Sequence, residues 1–232
     1  VAICPGHLHQ LDHDAHRIQR DKCIACFSCV AGCYSGALEV SGRRISVEEI
    51  MRQILPDQPF YAASGGGVTL SGGEPLMQPR FSKSLLQACK SAGLHTTVQT
   101  CAEASWANIV AIIPFVDLFL IDLKVLDPNL HQKVTGKSNQ RILTNIRRLA
   151  QTDKALSFRI PVVPGVNDAP EIIAAMAGFI HDLRGTRLPI ELVPFHRLAT
   201  DKYRSLDLTY QAATLAPLSV ERMNQLKAVI IK

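Results

Sequence analysis

A chain of 232 residues that is 47% hydrophobic and 19% charged can bury a substantial core, which excludes a disordered or fibrous protein. Its formal net charge of +5 comes from basic residues spread along the sequence; this admits anionic ligands and gives no reason to expect nucleic acid as a partner. No apolar run reaches the roughly 18 residues needed to cross a bilayer, and residues 1–20 lack the apolar core of a signal peptide, so the reading expects no membrane partner and a cytoplasmic location.

The first element is a cysteine run. Of seven cysteines, four fall in "CIACFSCVAGC" (23–33), a C-x2-C-x2-C-x3-C spacing that suits thiolate ligation in a reducing compartment better than a disulfide framework. This is the bacterial-ferredoxin run, although Tyr34 stands where a proline usually follows. The expectation is one 4Fe-4S cluster on Cys23, Cys26, Cys29 and Cys33, with Cys4 a further candidate ligand. A structural zinc is the competing reading, but zinc sites favour two separated pairs. His7, His9, His13 and His16 offer metal-ligand chemistry by composition, against the plainer reading of a solvated loop. Residues 1–44 thus read as a small metal-organised module ending in "GALEVSGRRIS", a short strand and turn signal.

A larger domain, 45–232, opens at Ser46, where Ser and Glu49 form a capping-box pattern before an amphipathic helix. Strands are then predicted at 67–70, 95–100, 116–121, 156–163 and 189–195, with helices near 80–92, 104–113, 139–152 and 169–184. Alternating strands and helices predict an α/β fold with a parallel sheet or barrel. The unusual motifs "SGGEP", "TCAE", "DLK", "PGVND" and "HRL" all fall near strand C-terminal ends, the edge that gathers ligands in such folds.

The chemistry of these motifs can be read residue by residue. "SGGGVTLSGGEPL" has no Lys-Ser/Thr in Walker spacing, so its glycines expose backbone to a ligand without forming a phosphate loop, and Glu74 beside Pro75 has a fixed direction. Asp122 and Lys124 alternate to one side of an extended segment; an acid suits a ribose diol and an ammonium a carboxylate. Arg159, inside an apolar strand, needs an anion or an internal carboxylate partner. His196 reads as a nucleoside contact or a core histidine, Cys89 as core packing, and Cys101 as a buried thiol or a pocket residue.

Taken in order, "CIACFSCVAGC", "FYAASGGGVTLSGGEPLMQPRF", "DLFLIDLK", "VTGKSNQRILTNIRRL", "FRIPVVPGVND" and "LVPFHRLATDKY" resemble the activating enzymes of glycyl radical enzymes, a radical S-adenosylmethionine (SAM) group that includes the pyruvate formate-lyase activases. The resemblance implies a partial (β/α) TIM-type barrel with a ferredoxin-like iron–sulfur insertion at the N-terminal end. It also implies an oxidoreductase in which a reduced 4Fe-4S cluster and SAM yield a 5′-deoxyadenosyl radical. That radical removes hydrogen from a glycine of the partner, a glycyl radical enzyme, and the electron comes from a flavodoxin or ferredoxin-type reductant.

Carried over by position, Gly72 and Gly73 are expected to meet the methionine amino group, with Thr100 and the amide of Gln99 beside it and Glu74 in the same loop. Lys124 and Arg159 are expected on the carboxylate, Asp122 and His196 on the ribose. Three departures accompany the resemblance. No C-x3-C-x2-C loop for the catalytic cluster occurs in the sequence, Gln99 stands where many relatives have an acid, and Ala199 replaces a glycine. The sequence begins at Val1 and is expected to be N-terminally incomplete, lacking the first barrel strand and the catalytic-cluster cysteines, and inactive by itself. The alternative is an electron-transfer or interaction module on a catalytically silent barrel.

Overall fold

The computed structural model describes residues 3–13 and 15–231. Along the chain lie β1 (His9–Asp12), β2 (Ala15–Ile18), α1 (Ser28–Ala31), α2 (Val47–Ile54), α3 (Gln58–Ser64), β3 (Gly67–Leu70), α4 (Pro79–Ser91), β4 (His95–Thr100) and α5 (Trp106–Val110). There follow β5 (Leu118–Asp122), α6 (Pro128–Thr135), α7 (Gln140–Ala150), β6 (Ala155–Val162), α8 (Pro170–Asp182), β7 (Ile190–Pro194), α9 (Thr200–Ser205) and α10 (Val220–Ile231). They divide into two compact units, residues 1–45 with 197–214, and residues 46–196 with 215–232.

In the smaller unit the histidine-bearing segment is a hairpin rather than a loop: β1 and β2 pair antiparallel, with His9 opposite Ile18 and Leu11 opposite His16. His9 and His16 stack with a ring-nitrogen separation of 2.8 Å. The strand expected in "GALEVSGRRIS" does not form. Gly36 and Gly42 both take positive φ there, so turn chemistry breaks the run and no neighbouring strand offers it a ladder among the described residues. Segment 197–214 is tied in by Arg20, which donates to the Ser205 carbonyl at 2.8 Å.

The larger unit is a five-stranded, wholly parallel sheet in the order β3-β4-β5-β6-β7, so each strand pairs with the next in sequence through a helical crossover. The capping box before α2 is complete: Ser46 Oγ accepts from Glu49 N–H and Glu49 accepts from Ser46 N–H. Period-two alternation sorts the strand residues. Val98, Phe119, Ile121, Phe158, Ile160 and Val162 are fully buried on one face against Ile109, Ile146, Leu149, Ile173 and Met176 of the helices. The opposite parity, with Gln99, Leu120, Asp122, Ser157 and Arg159, is only partly buried. Helices covering one face and a polar, open opposite face make an α/β partial barrel. Gly67 sets the close approach of β3 to β4, because a Cβ there would collide with the His95 carbonyl.

Opposite the strand C-terminal edge, Asp117 clamps the sheet. Its carboxylate accepts from Thr96 N–H (2.8 Å) and Thr96 Oγ1–H (3.1 Å) and pairs with Lys90 Nζ (2.9 Å). Partial burial pushes this carboxyl up, but Lys90 and the Thr96 donors outweigh it and hold the group below its ordinary value. A depressed folded-state pKa contributes stability above the unfolded value of about 3.9 and loses it as pH falls through the folded value. Asp117→Asn is therefore expected to cost about 1–2 kcal/mol at pH 7, read as a lower melting temperature, and the gap to the parent should close below pH 4. A gap that persists unchanged in acid contradicts this.

Candidate functional site

At the C-terminal edge of β3, β4 and β5 lies a cavity of about 220 Å³. Seven of the nine residues expected to bind cofactor line it, namely Gly72, Gly73, Glu74, Gln99, Thr100, Asp122 and Lys124, together with Ser71 and with Cys101, whose pocket reading is the one realised. They converge because the parallel sheet brings successive strand ends to one edge. Gly72 has φ +119°, a conformation side chains rarely adopt, and the space beside the Cα of both Gly72 and Gly73 is open, so the backbone here faces the cavity bare.

Glu74 is the anchor of this edge. One carboxylate oxygen accepts from Thr100 Oγ1–H at 2.7 Å and from Leu76 N–H at 3.1 Å; the other accepts from Cys101 N–H at 2.9 Å and from Cys101 Sγ–H at 3.1 Å. Burial, with the Glu74 carboxylate beside it, pushes the Cys101 thiol up, which keeps it the donor. The β3 loop is thereby locked to the end of β4.

Across the open face of the sheet runs a polar row. Ser71 Oγ–H donates to Gln99 Oε1 at 3.1 Å, and Gln99 Nε2 reaches both Asp122 carboxylate oxygens at 3.3 and 3.4 Å. Arg159 stands beside Asp122 in register, donates from Nε to Glu191 at 2.7 Å and approaches Gln99 Oε1 at 3.5 Å. Arg159 and His196 do not line the cavity. Arg159 thus has the internal carboxylate partner that the sequence left open, on the neighbouring strand β7; His196 is exposed just beyond that strand.

Three buried asparagines that sequence reasoning passed over brace the loops behind this edge. Asn145 donates to the Ala102 and Ala104 carbonyls (both 2.9 Å), holding Ala102 at φ +61°. Asn139 donates to the Val125 and Leu126 carbonyls, and Asn167 to those of Lys124 and Pro161. The available signal was an asparagine within or just before an apolar helical pattern, as in "SNQRILTNIRRL", where a polar residue on the core side needs a partner.

In the smaller unit, Cys4, Cys23, Cys26 and Cys29 line one cavity of about 410 Å³, walled also by Leu8, Ile18, Phe27 and Val30; Cys33 does not line it. All seven cysteines are free thiols. Ala25 and Phe27 take left-handed φ of +52° and +59°, which curls the loop around its sulfurs, and Ala25 N–H points at Cys23 Sγ at 3.4 Å. Ser28, through its backbone N–H and then its hydroxyl, pulls the Cys26 thiol down; the Ser35 hydroxyl does the same for Cys33. Among the described residues no three His, Cys, Asp or Glu side chains close on a single ion. Four thiols lining one cavity are the donor type that a cubane takes, one thiolate at each of four corners. The set fits an iron–sulfur cluster.

The radical SAM superfamily profile matches residues 26–177, more than half of the chain. The isethionate sulfite-lyase activating enzyme of Nitratidesulfovibrio vulgaris is 39% identical over 99% of this chain and 75% of its own length. The chain belongs to the radical SAM activating enzymes of glycyl radical enzymes. The (2S)-3-sulfopropanediol dehydratase activating enzyme of Klebsiella oxytoca is 40% identical over 84% of this chain, which spans 62% of that relative's length. A crystallised domain of a pyruvate-formate lyase-activating enzyme from Bacteroides vulgatus aligns with 72% of this chain and 93% of its own, at 33% identity and a TM-score of 0.59. Membership brings the chemistry of iron–sulfur clusters and SAM to this fold.

For this radical SAM chain, Glu74→Gln sets an NH2 group against hydrogen-bond donors at the cavity edge. We expect a loss of about 1–3 kcal/mol, measured by denaturant unfolding, and an unchanged midpoint contradicts the anchor role.

Proposed function

We propose that the strand-end cavity is the SAM site of a glycyl-radical-enzyme activase, and that the smaller unit holds an auxiliary 4Fe-4S cluster. The observation carrying the first half is the convergence of bare Gly72 and Gly73 backbone with Asp122 and Lys124 in one cavity, offering carbonyl, carboxylate and ammonium groups to a zwitterionic amino acid joined to a diol. In this reading Gly72 and Gly73 accept from the methionyl amino group, with Gln99 and Thr100 beside it. Lys124 pairs with the carboxylate, and Asp122 accepts from the ribose hydroxyls. Glu74 acts by holding the loop rather than by touching ligand. Arg159, partnered by Glu191, supports the clamp through the polar row, and His196 contacts the nucleoside from beyond β7.

A catalytic cluster, for which this sequence offers no C-x3-C-x2-C run, would when bound and reduced supply one electron to the sulfonium, so that the C5′–S bond breaks into methionine and the 5′-deoxyadenosyl radical. This chain's residues orient SAM so that the carbon left by the broken C5′–S bond meets the partner's glycine. Hydrogen transfer to that carbon gives 5′-deoxyadenosine and leaves the partner enzyme with the glycyl radical. The sequence contains no C-x3-C-x2-C run, and the 232-residue chain alone is proposed not to form the radical. A flavodoxin or ferredoxin-type protein is the proposed reductant.

For the auxiliary cluster, the cavity supports Cys4, Cys23, Cys26 and Cys29 as the ligands, in place of the consecutive set ending in Cys33. Cys33 holds the position that serves the other cluster in two-cluster ferredoxins.

Asp122→Asn is expected to weaken SAM binding about tenfold, one charge-assisted hydrogen bond, in equilibrium dialysis against labelled SAM. Unaltered affinity overturns the ribose assignment. After anaerobic reconstitution, Cys4→Ala is expected to lose cluster iron and acid-labile sulfide while Cys33→Ala keeps them; the reverse pattern restores the consecutive set.

A further inference from the structure

Asn167 is 1% exposed, and its side chain uses three hydrogen bonds to join three segments. Nδ2 donates to the Lys124 carbonyl at 2.9 Å and to the Pro161 carbonyl at 2.8 Å, while Oδ1 accepts from Val163 N–H at 2.7 Å. A buried amide is costly unless satisfied, and where only volume is needed an aliphatic residue fills it at less cost.

The position of these bonds gives them a purpose. The β5–β6 register ends at Asp122 opposite Arg159, and the last backbone bond across the pair is Leu123 N–H to the Arg159 carbonyl at 2.9 Å. Beyond it Pro161 has no N–H to donate the next rung, and the Asn167 carboxamide bridges the Lys124 and Pro161 carbonyls instead. The turn presenting Asn167 is itself fixed: Val166 and Asn167 N–H bond back to the Val163 carbonyl, Gly165 takes φ +72°, and Asp168 accepts from Gly165 N–H at 2.9 Å. Asn167 does not line the cavity, whereas Lys124 does.

We infer that Asn167 is a positioning residue for Lys124: its carboxamide ties the ends of β5 and β6 together beyond the last rung and so fixes the direction in which the lysine enters the cavity. The inference rests on the assignment of Lys124 to the SAM carboxylate. It predicts that Asn167 matters to a ligand only through that carboxylate.

The test compares equilibrium binding of SAM and of decarboxylated SAM, which lacks the carboxylate and keeps the sulfonium, amine and nucleoside, to the iron-reconstituted chain. Asn167→Asp keeps the shape and the acceptor for Val163 but removes both donors; Asn167→Ser is measured in its place should the aspartate variant not fold. The expected result is a loss of about tenfold for SAM, affinity for decarboxylated SAM within about twofold of the parent, and no further loss when Lys124→Met is added. Equal loss for both ligands makes Asn167 a stability residue only and overturns the inference, as does no loss for either. The Lys124→Met single variant separates the two layers. If it binds both ligands as the parent does, the carboxylate assignment fails; if it discriminates and the Asn167 variant does not, the inference alone fails.

Discussion

The site depends on period-two alternation along β5 and β6, which Val98 and Gln99 at the end of β4 continue. One parity puts Val98, Phe119, Ile121, Phe158, Ile160 and Val162 into the helix-covered core, and the other must then present Gln99, Asp122 and Arg159 to the open face. A slip of one residue in β5 or β6 would bury Asp122 or Arg159 and expose a core side chain. The hydrophobic core therefore fixes which groups look into the site, and the polar row from Ser71 through Gln99 and Asp122, with Arg159 and Glu191, is the by-product of a register chosen by burial.

The two ends of the sheet carry different work. At one end Asp117 and Lys90 join strand to helix. At the other the ladder stops and side chains take over from backbone: Glu74 locks the β3 loop to β4, and three asparagine amides hold the loops beyond β4, β5 and β6. Short polar side chains suit this role because each bonds two or three backbone groups left over where strands diverge. The cysteine-bearing unit is built differently, by left-handed residues that curl a loop around its thiols.

The sequence made most of the larger unit legible. The five predicted strands and four helices of the α/β unit appear within a few residues, because each has a clear period and a Gly, Pro or capping signal at its end. The strand-end motifs were legible as well, since topology alone carries Gly72, Asp122 and Lys124 to one edge. Less legible were features set by tertiary partners. The pairing of Arg159 with Glu191 depends on the β6–β7 register, and Asn167 looks in sequence like one more turn residue. The hairpin around His9 and His16 has no period strong enough to announce it over so few residues. Cys4 enters the thiol cavity from a remote position that spacing cannot convey, since spacing describes only neighbours in the chain.

The central claim is that the edge formed by Gly72, Gly73, Asp122 and Lys124 takes SAM. An anaerobic crystal structure of the chain grown with SAM tests it most directly. The methionyl carboxylate is expected within hydrogen-bond distance of Lys124 Nζ, the amino group at the Gly72–Gly73 carbonyls and the ribose hydroxyls at Asp122. SAM bound elsewhere on the chain, or reversed so that its nucleoside lies against the glycines, contradicts it.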